Sequence, residues 1–153
     1  MTNQSSKESV PKIVCLHLNE CDRKKCTALK LKKFDILKIV SDIKGKSRNY
    51  VILNPLSKET LNLNDRSIIK NYGLMVVDCS WKKIFNLKPL NLPNSRKLPS
   101  LIASNPVNYG KWEKLSSAEA LAAALYITNY GELADLILSK FSWGFEFKRI
   151  NNF

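Results

Sequence analysis

Asp78, Trp81 and Thr27 are the residues whose types and positions can do chemistry on a small molecule. Asp78 closes the apolar run Leu74 to Val77, so it stands at a strand's C-terminal end, where α/β sheets bind ligands. Aspartate is also a preferred helix cap, here for a helix beginning at Cys79, and the two roles are compatible. Trp81 follows within a helical turn. Its ring face suits a cation, and the same residue serves equally as the buried side of an amphipathic helix. Thr27 falls in the first turns of a helix expected near Lys24 to Phe34. A hydroxyl beside free backbone N–H groups there can hold a carboxylate, or simply close the helix terminus.

A longer stretch, 96–127, must position these groups. Ser100 to Ser104 is a short apolar run closed by Asn105-Pro106 and reads as a buried strand. Asn108-Tyr109-Gly110 is turn chemistry. Ser116 with Glu119 three residues on is a capping box. The helix behind it, through Ile127, is apolar on every side and so is expected to be buried on more than one face. A strand, a loop and a buried helix N-terminus together can hold a ligand by backbone groups.

Other chemistries are excluded. The chain has no G-x-S-x-G, no Ser/His/Asp set, no P-loop and no G-x-G-x-x-G. Cys15, Cys21, Cys26 and Cys79 form no C-x-x-C pair, so their spacing predicts reduced thiols and no metal site. His17, the single histidine, alternates with apolar neighbours and reads as structural. Charge is the outstanding feature of composition: 25 basic against 13 acidic residues give +12. Such a surface attracts polyanions, nucleic acid before anionic membrane. No apolar run approaches the roughly 20 residues that span a bilayer. Met1 to Val10 lacks the apolar core of a signal peptide and reads as a disordered lead-in, so a cytoplasmic protein without membrane attachment is expected.

In chain order, Lys12 to Leu18, Tyr50 to Leu53 and Leu74 to Val77 read as strands, with Ile36 to Val40 apolar but of open type. Asp65 caps a short helix that Gly73 ends, and Glu132 to Phe141 is helical by the spacing of Leu133, Leu136, Ile137 and Phe141. These elements predict an α/β lobe over 11–95. A mainly helical lobe over 96–153 follows, its strand 100–104 returning to the first lobe's sheet. Basic residues gather in three places: Arg23, Lys24, Lys25, Lys30, Lys32 and Lys33; Lys46 and Arg48; and Lys82, Lys83, Arg96 and Lys97.

Several motifs carry a family resemblance. Arg96-Lys97-Leu98-Pro99, Asn105-Pro106-Val107-Asn108-Tyr109-Gly110 and Leu115-Ser116-Ser117-Ala118-Glu119-Ala120 are matched by Cys21-Asp22-Arg23-Lys24-Lys25-Cys26-Thr27, Asp78-Cys79-Ser80-Trp81 and Phe141-Ser142-Trp143-Gly144. On these motifs the chain resembles the small-subunit ribosomal RNA aminocarboxypropyltransferases, and the resemblance covers roughly 13 to 151. Arg23 and Trp112 stand where that family usually has proline.

The resemblance implies a mixed sheet with a trefoil knot of the SPOUT type. It implies S-adenosylmethionine as cosubstrate and transfer of its 3-amino-3-carboxypropyl group to a methylated pseudouridine of small-subunit ribosomal RNA or a pre-ribosomal particle. By the same resemblance Trp81 walls off the methyl group, the Val77 carbonyl takes the ribose, and backbone at Leu98 and near Glu113 reads the adenine. Thr27 and Ser117 hold the amino-acid end. Asp78 accepts the proton of the attacking ring nitrogen or orients the base. The basic stretches form the RNA face around the pocket mouth, and a monomer is expected. The rivals are a basic RNA-binding assembly protein without catalysis and an RNA methyltransferase on the same fold.

Overall fold

The computed structural model describes residues 10–17, 26–78, 92–111 and 114–153. Five strands, β1 Ile13–His17, β2 Lys38–Val40, β3 Val51–Leu53, β4 Leu74–Asp78 and β5 Ser95–Arg96, form one sheet in the order β2-β1-β4-β3-β5. Every pairing is parallel. This overturns the mixed sheet, and no SPOUT-like trefoil knot is found among the described residues. The physical reason for parallel pairing is in the connections. Successive strands are separated by helices or long segments and never by a two-residue hairpin, so each chain return brings the next strand in the same direction.

The central strands β1, β3 and β4 are short and mainly apolar because both faces are covered. Ile13, Cys15, Val51, Leu53, Leu74 and Val76 face the larger core. Val14, Leu16, Ile52 and Met75 face a smaller cluster with Leu92. The larger core takes in α1 Thr27–Lys33, α3 Ser117–Ile127, α4 Gly131–Ser139 and α5 Gly144–Ile150, whereas α2 Arg66–Asn71 contributes Ile69. Residues on both sides of position 96 therefore share one core. The run from Ala118 to Leu125 is buried except at Ala120: its alanines let the helix lie close between the sheet and α4, while Leu121 and Leu125 fill the core.

Residues 100–104 do not join the sheet. Ile102 finds its partner in a side chain: its N–H donates to Asn151 Oδ1 (2.8 Å), and Asn151 Nδ2 donates back to its carbonyl (2.9 Å). Ala103 pairs instead across its own loop, with Lys111 and Gly110. Strand-like backbone demand was legible here, but an asparagine from the last turn of the chain meets it. The last helix, α5, was not apparent from periodicity. Gly144 opens it against the backbone of Leu138, where a Cβ would lie 2.0 Å from the Leu138 carbonyl oxygen. Only glycine fits there, which accounts for the glycine of Phe141-Ser142-Trp143-Gly144.

Candidate functional site

The sheet order creates a switch point. After β1 the chain turns to β2 on one side, and after β4 it proceeds to β5 on the other, so the winding reverses between β1 and β4. His17 and Asp78 are register partners at the C-terminal ends of these two strands. A cavity of about 390 Å³ begins at Asp78. It is lined by Leu53 to Pro55 after β3, Val76 to Asp78 of β4, Lys97 to Pro99 and Leu101 after β5, and Leu115 to Ser117 with Ala120 at the start of α3. Its size is that of a small-molecule site.

The α3 end of the cavity is held by Glu119. This carboxylate is fully buried. Its Oε1 accepts from Ser116 N–H and Oγ (both 3.0 Å) and from Asn105 Nδ2 (2.6 Å). Its Oε2 accepts from Ser104 N–H (2.6 Å) and Oγ (3.2 Å). The capping box is formed, with Ser116 Oγ accepting from Glu119 N–H at 3.2 Å. The same glutamate also anchors the Asn105–Gly110 loop, which the sequence did not reveal. Asn105 Oδ1 then accepts from Asn108 N–H, and Gly110, at φ +79°, turns the chain back to Ala103.

The structure brings Val77, Leu98, Ser117 and Asp78 to one cavity. Thr27 lies beside it: its Oγ1 accepts from the N–H of Ala118, tying the start of α1 to the first turn of α3 next to Ser117 (3.0 Å). Trp81 and Glu113 lie outside the described residues, as do Arg23, Lys24, Lys25, Lys82, Lys83 and the helix expected from Cys79. Asp78 Oδ2 accepts from Cys26 Sγ (3.2 Å) and approaches His17 Nε2 (3.5 Å). Neither partner was assigned to the site from sequence. The only signal was that His17 lies near the end of one apolar run and Asp78 closes another, and sequence alone cannot align two strands.

The basic residues divide. Lys32, Lys33, Lys46 and Arg48 are exposed, and Lys30 sets its ammonium 4.9 Å from the centre of the Phe141 ring. Lys97 lines the cavity. Arg96 is engaged internally: its guanidinium pairs with Asp65 (3.2 Å) and Glu59 (3.1 Å), and its side chain is only 11% exposed. Asp65, expected as a helix cap, makes no side-chain bond to α2 and instead holds Arg96 and the N–H of Asn62. No helix among the described residues is long and apolar enough to cross a membrane.

Residues 51–153 match the family model described as ribosome biogenesis protein, C-terminal. A protein of Methanothermobacter thermautotrophicus named 16S rRNA aminocarboxypropyltransferase is 44% identical over 142 residues, covering 92% of this chain and 84% of its own length. One of the same name from Thermoplasma volcanium is 46% identical over 139 residues, covering 91% and 84%. The solved structure of the SAM-dependent rRNA:acp-transferase Tsr3 from Vulcanisaeta distributa superposes with a TM-score of 0.87 at 38% identity, covering 94% of this chain and 79% of that one. With the family model matched over most of the chain and these identities over nearly all of it, the chain belongs to the 16S rRNA aminocarboxypropyltransferase family of ribosome biogenesis proteins.

Proposed function

We infer that this protein transfers the 3-amino-3-carboxypropyl group of S-adenosylmethionine to a base of small-subunit ribosomal RNA. The observation that carries the reading is the cavity beyond the C-terminal ends of β3, β4 and β5, where Val77, Leu98 and Ser117 meet beside Asp78. Relatives named for this activity, at 44% and 46% identity, support it. The sulfonium supplies the reactivity, so the protein's task is orientation and exclusion of water. A ring nitrogen attacks the aminocarboxypropyl carbon next to sulfur. The carbon–sulfur bond breaks with its electrons going to sulfur, 5′-methylthioadenosine leaves, and the nitrogen loses its proton.

The residues take these roles in the proposal. The carbonyl of Val77 accepts from the ribose, backbone at Leu98 and near Glu113 reads the adenine, and Ser117 with Thr27 holds the amino-acid end. Ser117 is the first residue of an eleven-residue helix whose positive end suits a carboxylate. Trp81 covers the methyl group. Asp78 orients the acceptor base or takes its proton. The acceptor is a methylated pseudouridine in an unpaired loop, where the base is accessible. Lys30, Lys33, Lys46, Arg48 and Lys97, with Arg23, Lys24, Lys25, Lys82 and Lys83, supply the RNA face, and Arg96 supports the pocket wall through its internal pairs. The protein acts as a monomer in the cytoplasm.

Mass spectrometry of the nucleoside released from S-adenosylmethionine tests the reaction. Methylthioadenosine is expected; S-adenosylhomocysteine would identify a methyltransferase instead.

A further inference from the structure

We propose that His17, Cys26 and Asp78 form a site for a divalent transition-metal ion, with zinc the first candidate. The three side chains come from different elements. His17 ends β1, Cys26 is the N-cap residue of α1, and Asp78 ends β4. Their ligating atoms all lie within 4.8 Å of one another. The separations are 3.7 Å for Cys26 Sγ to His17 Nε2, 3.2 Å for Cys26 Sγ to Asp78 Oδ2 and 3.5 Å for His17 Nε2 to Asp78 Oδ2. Tetrahedral zinc with ordinary bond lengths sets its sulfur, nitrogen and oxygen ligands about 3.4–3.6 Å apart, so the triangle needs adjustment of only a few tenths of an ångström.

Burial and chemistry agree with this geometry. His17 and Cys26 are buried, and the Asp78 side chain is 18% exposed. A nitrogen, sulfur and carboxylate set suits zinc and other borderline-soft ions, and a thiolate disfavours magnesium and calcium. Binding releases the Cys26 proton to solvent. One thiolate and one carboxylate then balance the 2+ charge, so the ion and its ligands are together neutral at the buried site, and the charge of the chain rises only from +12 to +13. His17 and Asp78 are fixed by adjacent strands in register, so little ordering is required of them.

Three protein ligands leave a fourth position open. Asp78 also lines the cavity, whereas His17 and Cys26 do not. The ion binds one oxygen of Asp78 and leaves the other for a ligand in the cavity. A metal-bound Asp78 would thus be held in place to orient an acceptor base through its second oxygen.

The test uses cobalt(II) as a spectroscopic probe on the full chain, without S-adenosylmethionine or RNA, so its result is independent of the transferase reading. Equimolar binding with a near-ultraviolet thiolate-to-cobalt band is expected, and zinc should displace the cobalt. Cys26→Ser should abolish the band, and His17→Gln should weaken binding by about tenfold or more. Cys15→Ala should retain both, because Cys15 lies two residues back along β1 and outside the triangle. Absence of stoichiometric cobalt or zinc binding by the wild-type chain would overturn the proposal, as would a band that persists in Cys26→Ser.

Discussion

Asn105 donates its side-chain amide to the fully buried Glu119 carboxylate at 2.6 Å, so the loop beside the cavity and the start of α3 are one hydrogen-bonded unit. The Asn-Pro-Val-Asn-Tyr-Gly motif is held by this bond and by the two that Ser104 makes to the same group. Glu119→Ala leaves those donors and Ser116 without their acceptor. A loss of about 3–5 kcal/mol is expected, the usual cost of stranding buried polar partners. Chemical denaturation of the variant checks it. A loss below about 1 kcal/mol would show that the loop is anchored elsewhere.

Trp81→Ala should weaken S-adenosylmethionine binding if the indole covers the sulfonium. A cation–π contact of about 0.5–2 kcal/mol corresponds to roughly a 2- to 30-fold rise in Kd. Calorimetry measures it, and equal affinities would remove Trp81 from the pocket.

Asp78→Asn separates chemistry from binding. Transfer in a single turnover should slow by about 100-fold or more while S-adenosylmethionine affinity is kept. Added zinc or a chelator then distinguishes two roles. An orienting, metal-held carboxylate gives metal-dependent rates; a carboxylate that takes the proton gives rates indifferent to metal. Full transfer activity in Asp78→Asn would leave the residue a structural role only.

The exposed cations Lys46 and Arg48 should serve RNA through phosphate. Lys46→Glu with Arg48→Glu should weaken binding to a small-subunit RNA hairpin. It should also flatten the salt dependence by about 0.7–0.9 in the log–log slope for each phosphate that is no longer neutralised. An unchanged slope would place the RNA elsewhere on the molecule.

The helical end of the chain has its own pH signature. The Tyr126 hydroxyl donates to Asp135, and Lys148 pairs with the same carboxylate at 3.0 Å, joining α3, α4 and α5. The tyrosine hydrogen bond, then the lysine, holds the Asp135 carboxyl below its usual range. A lowered native pKa stabilises the fold above the unfolded carboxyl value and loses that contribution as pH falls through the native one. Asp135 is 43% exposed, so screening limits the effect to less than about 1 kcal/mol. Asp135→Asn should therefore lower Tm slightly at neutral pH, with the difference closing as the pH falls below the unfolded carboxyl value. A gap that widens on acidification would contradict the pairing.

Much of this architecture was legible because the signals were local. The first strand, expected over Lys12 to Leu18 and found at Ile13–His17, a helix carrying Thr27 in its first turn, and the capping box of Ser116 and Glu119 each follow from neighbouring residues. What stayed hidden depends on tertiary partners. Nothing near Ile102 says that Asn151 will supply its hydrogen bonds, and nothing near Arg96 says that Asp65 and Glu59 will occupy it. The grouping of His17, Cys26 and Asp78 required the β1–β4 register, which no spacing in the chain expresses. The mixed, knotted sheet came from resemblance alone, and the strand pairings replace it with a parallel one.

The central claim is the identity of the transferred group. S-adenosylmethionine labelled separately in its methyl and in its carboxyl carbon, incubated with the protein and small-subunit ribosomal RNA, tests it most directly. The account predicts carboxyl label in the RNA and no methyl label. Methyl label in the RNA, or label from neither position, would contradict it.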